Sequence, residues 1–255
     1  MTIKRQELED YFDELLKPNG YADYGPNGLQ IEGCEKLSTI AFAVSATADS
    51  VAQALVKKAD TLIVHHGLFW SFHGPKTLTG PFAKRVFPLV KNEINLFAYH
   101  LPLDGNPEIG NAAALGKLIG VENQQPFGVY KGSPTGIQGE LKNAITATEM
   151  QQRLAAILNH DVILASHDQK AKIKSVGIIT GGANSEWQQA AAAGLDAYIT
   201  GEISEHDWHE SREAGIHMFA GGHHATEQFG IRSLMVRVEE EFEVECFYIS
   251  SENPA

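Results

Sequence analysis

The feature that most constrains this chain is an internal repeat. Residues 174–202, KSVGIITGGANSEWQQAAAAGLDAYITGE, align without a gap on residues 38–66, STIAFAVSATADSVAQALVKKADTLIVHH, at a constant offset of 136. Both copies read as an apolar strand, a short polar turn, a helix, an aspartate (Asp60, Asp196) and a second apolar strand. Identities are few, Gln53/Gln189, Ala54/Ala190, Asp60/Asp196 and Ile63/Ile199 among them, but the apolar pattern persists. Further on, FAYHLPLD (97–104) matches FAGGHHATE (219–227), with one extra residue in the second copy. Two unrelated βαβ units would share the gross pattern. A strand ending in Phe-Ala and followed by His-x-x-x-carboxylate, found twice, favours duplication. Such a chain folds as α/β, with two similar domains whose mixed sheets are flanked by helices.

The periodicity fills in the elements. The opening MTIKRQELEDYFDELL reads as an amphipathic helix, and YGPNGLQIEG (24–33) as a glycine-rich loop. Strands are expected at 39–46, at DTLIVHHG and over 94–104, the last running into a loop, since Pro102 disfavours a helix through His100. Helices are expected after Thr47 or Asp49 as N-cap, over 81–92 and over 110–120, with a loop at 71–80. The segment 121–140 carries Pro126, Gly128, Gly132, Pro134 and Gly136, a turn-like composition that places the domain boundary there. The expected division is a first domain over 1–125 carrying His65, His66 and Asp104. A second domain over 126–255 carries His223 and Glu227, its C-terminal part packing back on the first.

Charge excludes some functions. The chain has 32 acidic and 20 basic residues, a net charge of −12, which repels polyphosphate at long range and argues against nucleic-acid binding. No apolar run approaches a membrane span, and the N-terminus lacks a signal-peptide h-region. Cys34 and Cys246 form no framework, so a cytoplasmic location is expected.

Eleven histidines stand out. LIVHHGLFW (62–70) ends a strand in His65 and His66, where the carboxyl ends of α/β strands hold ligands. Consecutive strand side chains point to opposite faces, so the pair suits two ions, one each. His100/Asp104 and His223/Glu227 each place a carboxylate four residues after an imidazole. A helix starting near His223 would bring His223 and Glu227 onto one face and turn His224 aside. His65, His66, Asp104, His223 and Glu227 thus offer three imidazoles and two carboxylates for a pair of divalent cations, a catalytic arrangement when the ions lie about 3.5–4 Å apart. The mixed donors suit zinc, iron, manganese, nickel or cobalt, and leave positions open for water. His100 reads either as a third ligand to one ion or as a base beside its water. Glu202, opposite His66 in the repeat, is the other candidate proton carrier. His73, His206, His209 and His217 read as structural, the last three amid polar helical sequence. TGGANS (180–185) could cradle phosphate, though turn geometry explains its glycines equally well. Phe69 and Trp70 could wall a pocket and stack on a heterocycle, or simply pack.

The segments YGPNGLQIEG, LIVHHGLFW, FAYHLPLDGNPEIGNAAALG, YITGEISEH and AGGHHATE closely resemble the type 2 GTP cyclohydrolase I homologues, also called NGG-interacting-factor-three-like proteins. The resemblance runs from about residue 5 to 250. It implies two interlinked α/β domains, a ring-shaped homohexamer with metal sites facing an internal cavity, and a dinuclear centre whose ligands map onto the same five residues. The family name implies opening of the imidazole ring of GTP with release of formate, by attack of metal-activated water on the purine. Metal delivery or regulation without turnover is the rival expectation for the same ligands.

Overall fold

The computed structural model describes residues 2–255. It is a mixed α/β protein that divides into two compact units: the chain up to Leu103 with Ile231–Ser251, and Asp104–Gly230 with Glu252–Ala255. The division falls 22 residues earlier than the expected boundary at 125/126, and it transfers Asp104 from the first unit to the second.

In the first unit five strands lie in the order Glu245–Tyr248, Thr39–Ser45, Thr61–His66, Asn95–Ala98 and Gly28–Ile31. The first four are parallel and the last is antiparallel. Gly28–Ile31 lies in the segment expected to be a loop; its glycines begin an edge strand, where Gly28 takes φ +99°. The core gathers Leu62, Val64 and Leu96 with Val51, Ala54 and Leu89 from the helices Ala48–Val56 and Gly80–Lys91. Thr47 caps the first of these helices, its hydroxyl accepting the Ser50 N–H at 3.0 Å.

In the second unit six strands run in the order Val121–Tyr130, Ser133–Thr146, Lys172–Ile178, Ala197–Thr200, His217–Ala220 and Ile163–Ala165. The third to fifth are parallel. Val121–Tyr130 and Ser133–Thr146 cover the turn-like segment where the domain boundary was expected, and they form a long hairpin. Its glycines serve packing as well as turning. Gly136 sits where a Cβ would overlap the Ile178 carbonyl, so proximity to the next strand demands it.

The repeat is visible atom by atom. Asp60 Oδ2 accepts the N–H groups of Ser38 and Thr39 at 2.5 and 3.0 Å. Asp196 Oδ2 accepts those of Lys174 and Ser175, both at 2.8 Å, the same two positions at the same offset. The register agrees too: Ile63 pairs with Phe97 and Ile199 with Phe219. An aspartate that ties the start of one strand to the start of the next is a local device kept in both copies. Among the described residues no helix is long and apolar enough to cross a membrane.

Candidate metal centre

Three imidazoles meet in the first unit. His65, His66 and His100 each bring a ligand nitrogen within 4.8 Å of the others. His65 is fully buried at the end of a strand that is apolar on both faces, as a central parallel strand covered by helices must be. Its Nδ1 lies 3.0 Å from the Tyr99 carbonyl, which can only accept, so the proton sits on Nδ1 and Nε2 keeps its lone pair. His66 Nδ1 lies 3.0 Å from Ser45 Oγ on the neighbouring strand. The two rings were expected on opposite faces, yet their centroids are 4.6 Å apart. Both residues belong to the strand, which ends at His66 paired with Ser45. His100 follows the strand Asn95–Ala98, its ring 5.0 Å from His65 and 5.7 Å from His66.

The second unit supplies the carboxylates. Asp104 ends the short helix Leu101–Asp104, where a loop was expected. Pro102 is tolerated there because a first-turn N–H has no helical partner to lose. Asp104 is 8% exposed and accepts the amide of Asn111 at 2.8 Å; Glu227 is 2% exposed. Oxygens of the two carboxylates lie within 4.8 Å of each other. Glu227 follows the one-turn helix His223–Thr226, and that turn puts His223 Nε2 3.1 Å from Glu227 Oε2. The other ring nitrogen, Nδ1, is 2.5 Å from Glu202 Oε1. Burial lowers the His223 pKa, but the hydrogen bonds and charges of Glu227 and Glu202 outweigh it and raise the value to about 9. Glu202 therefore grips an imidazole, fixing the ring and raising its basicity.

Two buried carboxylates at this separation repel each other in a medium that screens poorly. Nitrogen and carboxylate donors without thiolate suit a hard or borderline divalent cation. The described residues thus hold His/Asp/Glu groups that could bind metal ions. His224 is in none of these groups.

The remaining expectations sort as follows. Gly181, in TGGANS, has φ +69°, and a Cβ there would overlap Glu227 Oε1. Its N–H is donated to Thr226 Oγ1 at 3.1 Å. The Gly181 N–H is thus engaged within the protein, and the missing Cβ leaves room for the Glu227 carboxylate, in keeping with turn geometry as the reason for this glycine. His206 and His209 are exposed on the helix Glu205–Glu213, and His73 is exposed in a short turn. His217 is structural but not helical: it is buried on a strand, its Nδ1 2.9 Å from Ser166 Oγ and its ring stacked on His167. Trp70 donates its indole N–H to the Gly67 carbonyl at 3.0 Å and meets His100 edge-on at 5.0 Å. With Tyr24, Phe69, Pro75 and Lys76 it lines a cleft of about 330 Å³. Asp23, Asn27 and Asn111 were missed. Asn111 carried a usable signal: a polar residue on the apolar face of its helix.

Known proteins resemble this chain over nearly its whole length. The profile of the Duf34/NIF3 (NGG1p interacting factor 3) family matches residues 3–254. A Haemophilus influenzae protein named GTP cyclohydrolase 1 type 2 homolog is 39% identical over 250 residues, 98% of each chain. A Pyrococcus abyssi protein of the same name is 39% identical over 249 residues, again 98% of each. A solved structure described as protein ybgI, of unknown function, superposes with TM-score 0.91 at 37% identity, covering 99% of this chain and 100% of the other. One from Thermus thermophilus gives TM-score 0.91 at 27% identity, with the same coverage. The chain belongs to the Duf34/NIF3 family.

Proposed function

We propose that this protein is a metal-dependent hydrolase that holds two divalent cations through His65, His66, Asp104, His223 and Glu227 and acts on a planar nitrogen heterocycle. The observation that carries the reading is the buried pair Asp104 and Glu227, with carboxylate oxygens within 4.8 Å of each other. Zinc, iron, manganese and nickel all fit such donors. The ions would supply an acidified water and a polarised carbon.

The chain's own residues do the rest. Glu202 orients His223, and the Tyr99 carbonyl orients His65, each fixing the tautomer that leaves a nitrogen lone pair for a cation. His100 is the proton carrier, close to both His65 and His66. Glu202, paired with His223, takes a supporting role rather than that of a base. The cleft walled by Tyr24, Phe69 and Trp70 supports a flat, aromatic substrate. The relatives' name points to GTP, in which the attacked carbon would be C8 of the purine.

Lys76 is the one basic side chain lining that cleft, a poor match for a triphosphate. This favours, as the second reading, metal binding or delivery without turnover. Exposed Phe72, Leu78, Phe87 and Val90 on the first unit support a homo-oligomer, with a hexamer as the assembly proposed. A cytoplasmic location fits free thiols at Cys34 and Cys246.

The test is to quantify bound metal and formate release from GTP beside a His66→Ala/Glu227→Ala variant. Metal-dependent release that the variant loses supports the hydrolase. Two ions per chain with GTP untouched would transfer the assignment to metal handling.

A further inference from the structure

Asp23, in the loop YADYGPNG ahead of the first edge strand, belongs to neither set of donors. Its side chain is 3% exposed, and its carboxylate is surrounded by donors. Oδ1 accepts the Tyr24 N–H at 2.6 Å and faces His100 Nδ1 at 2.8 Å. Oδ2 accepts from Asn27 Nδ2 and from the Leu101 N–H, both at 2.9 Å. Asn27 is itself fixed, because its Oδ1 accepts the His100 N–H at 2.8 Å. Two of the four donors are backbone N–H groups, which cannot turn into acceptors. Burial pushes the Asp23 pKa up, but the hydrogen bonds from His100, Asn27 and Leu101 and the His100 charge prevail and hold it below the ordinary carboxylate value. The carboxylate is therefore an acceptor on both oxygens, and the proton shared with His100 belongs to the ring.

We propose that Asp23 is a positioning residue that locks His100 in the Nδ1–H tautomer, leaving Nε2 as the ring nitrogen able to take a proton or meet a cation. Untethered, the imidazole would sample both tautomers and both ring orientations. The Asp23–Asn27 clasp removes that freedom by gripping the side chain and the backbone of the same histidine. The use of this device rests on the metal-centre reading above, whereas its geometry does not. A polar neighbour that merely filled space would not dictate which nitrogen is bare.

The tautomer can be read in metal-free protein labelled with 15N-histidine by long-range 1H–15N correlation across a pH series. His100 signals are assigned by their loss in His100→Gln. Expected is a protonated Nδ1 and a bare Nε2, as for His65, whose Nδ1 proton is fixed by the Tyr99 carbonyl. In Asp23→Asn either amide orientation sets the NH2 against a backbone N–H, that of Tyr24 or that of Leu101, so the clasp should loosen and the His100 signals should average between tautomers, with His65 unchanged. Should that variant not fold, the wild-type assignment stands as a test by itself. Asp23→Ser, too short to reach the ring, should give averaged His100 signals. A wild-type His100 protonated on Nε2, or an Asp23→Ser signal identical to wild type, overturns the proposal. A wild type with the expected tautomer but no affinity for zinc would keep the Asp23 assignment and remove the metal reading.

Discussion

His223 is the residue on which the local electrostatics converge. Carboxylates on both ring nitrogens keep it protonated, with a pKa raised from the ordinary 6.5 to about 9. In metal-free protein the raised pKa stabilises the fold fully below about 6.5, and that contribution is lost as pH rises through about 9. Denaturant midpoints across this range should fall with pH, and His223→Gln should flatten the slope. For cation binding the sign reverses, because the proton must leave before the ion arrives. Zinc affinity measured by competition should weaken as pH drops below about 9, and binding at neutral pH should release protons. Glu227→Gln, which removes a charge beside Asp104, should cut bound metal by at least one ion per chain. The histidines of this site were legible in the sequence because a strand has no need of an imidazole pair at its tip. Asp23 and Asn27 were not, since a loop of Asp, Tyr, Gly, Pro and Asn looks the same whether it merely turns or clasps a distant histidine.

The elements show the same division. The two strand–helix–strand units were readable from apolar periodicity, and the offset between them fixed which positions correspond. Asp60 and Asp196 are the clearest yield, each tying two N–H groups of the preceding strand. Asp196→Ala should cost about 1 kcal/mol, because it removes the acceptor shared by an exposed and a half-buried N–H. Burial raises the Asp196 pKa, but hydrogen bonds from Ser175 and Lys174 hold it below its ordinary 3.8. Its stabilisation is present above that value and is lost as pH falls further, so acid unfolding should begin at higher pH in the variant. The hairpin over 121–146 was misread because glycine and proline mark turns and tight inter-strand packing alike. Gly181 belongs to the second kind. Gly181→Ala forces a Cβ into Glu227 at a positive φ. It should destabilise by about 1–3 kcal/mol and lower metal content, read by thermal melting and elemental analysis.

For the whole molecule, the sequence revealed two related halves but not where the chain leaves each of them. The turn-rich stretch near residue 126 suggested a domain boundary, whereas the compact units divide at Leu103/Asp104 and the segment Ile231–Ser251 returns to the first. No local signal marks such a crossing, since it depends on which sheet the last strand joins. Saturating zinc or manganese should raise the melting temperature, with about 2.7 kcal/mol of added stability at a hundredfold excess over Kd. The most direct test is anomalous diffraction from crystals of protein loaded with a single metal. Two peaks per chain are expected, together touching His65, His66, Asp104, His223 and Glu227. A map with no peak at those side chains, or with the five groups bound to nothing in common, would contradict the dinuclear centre.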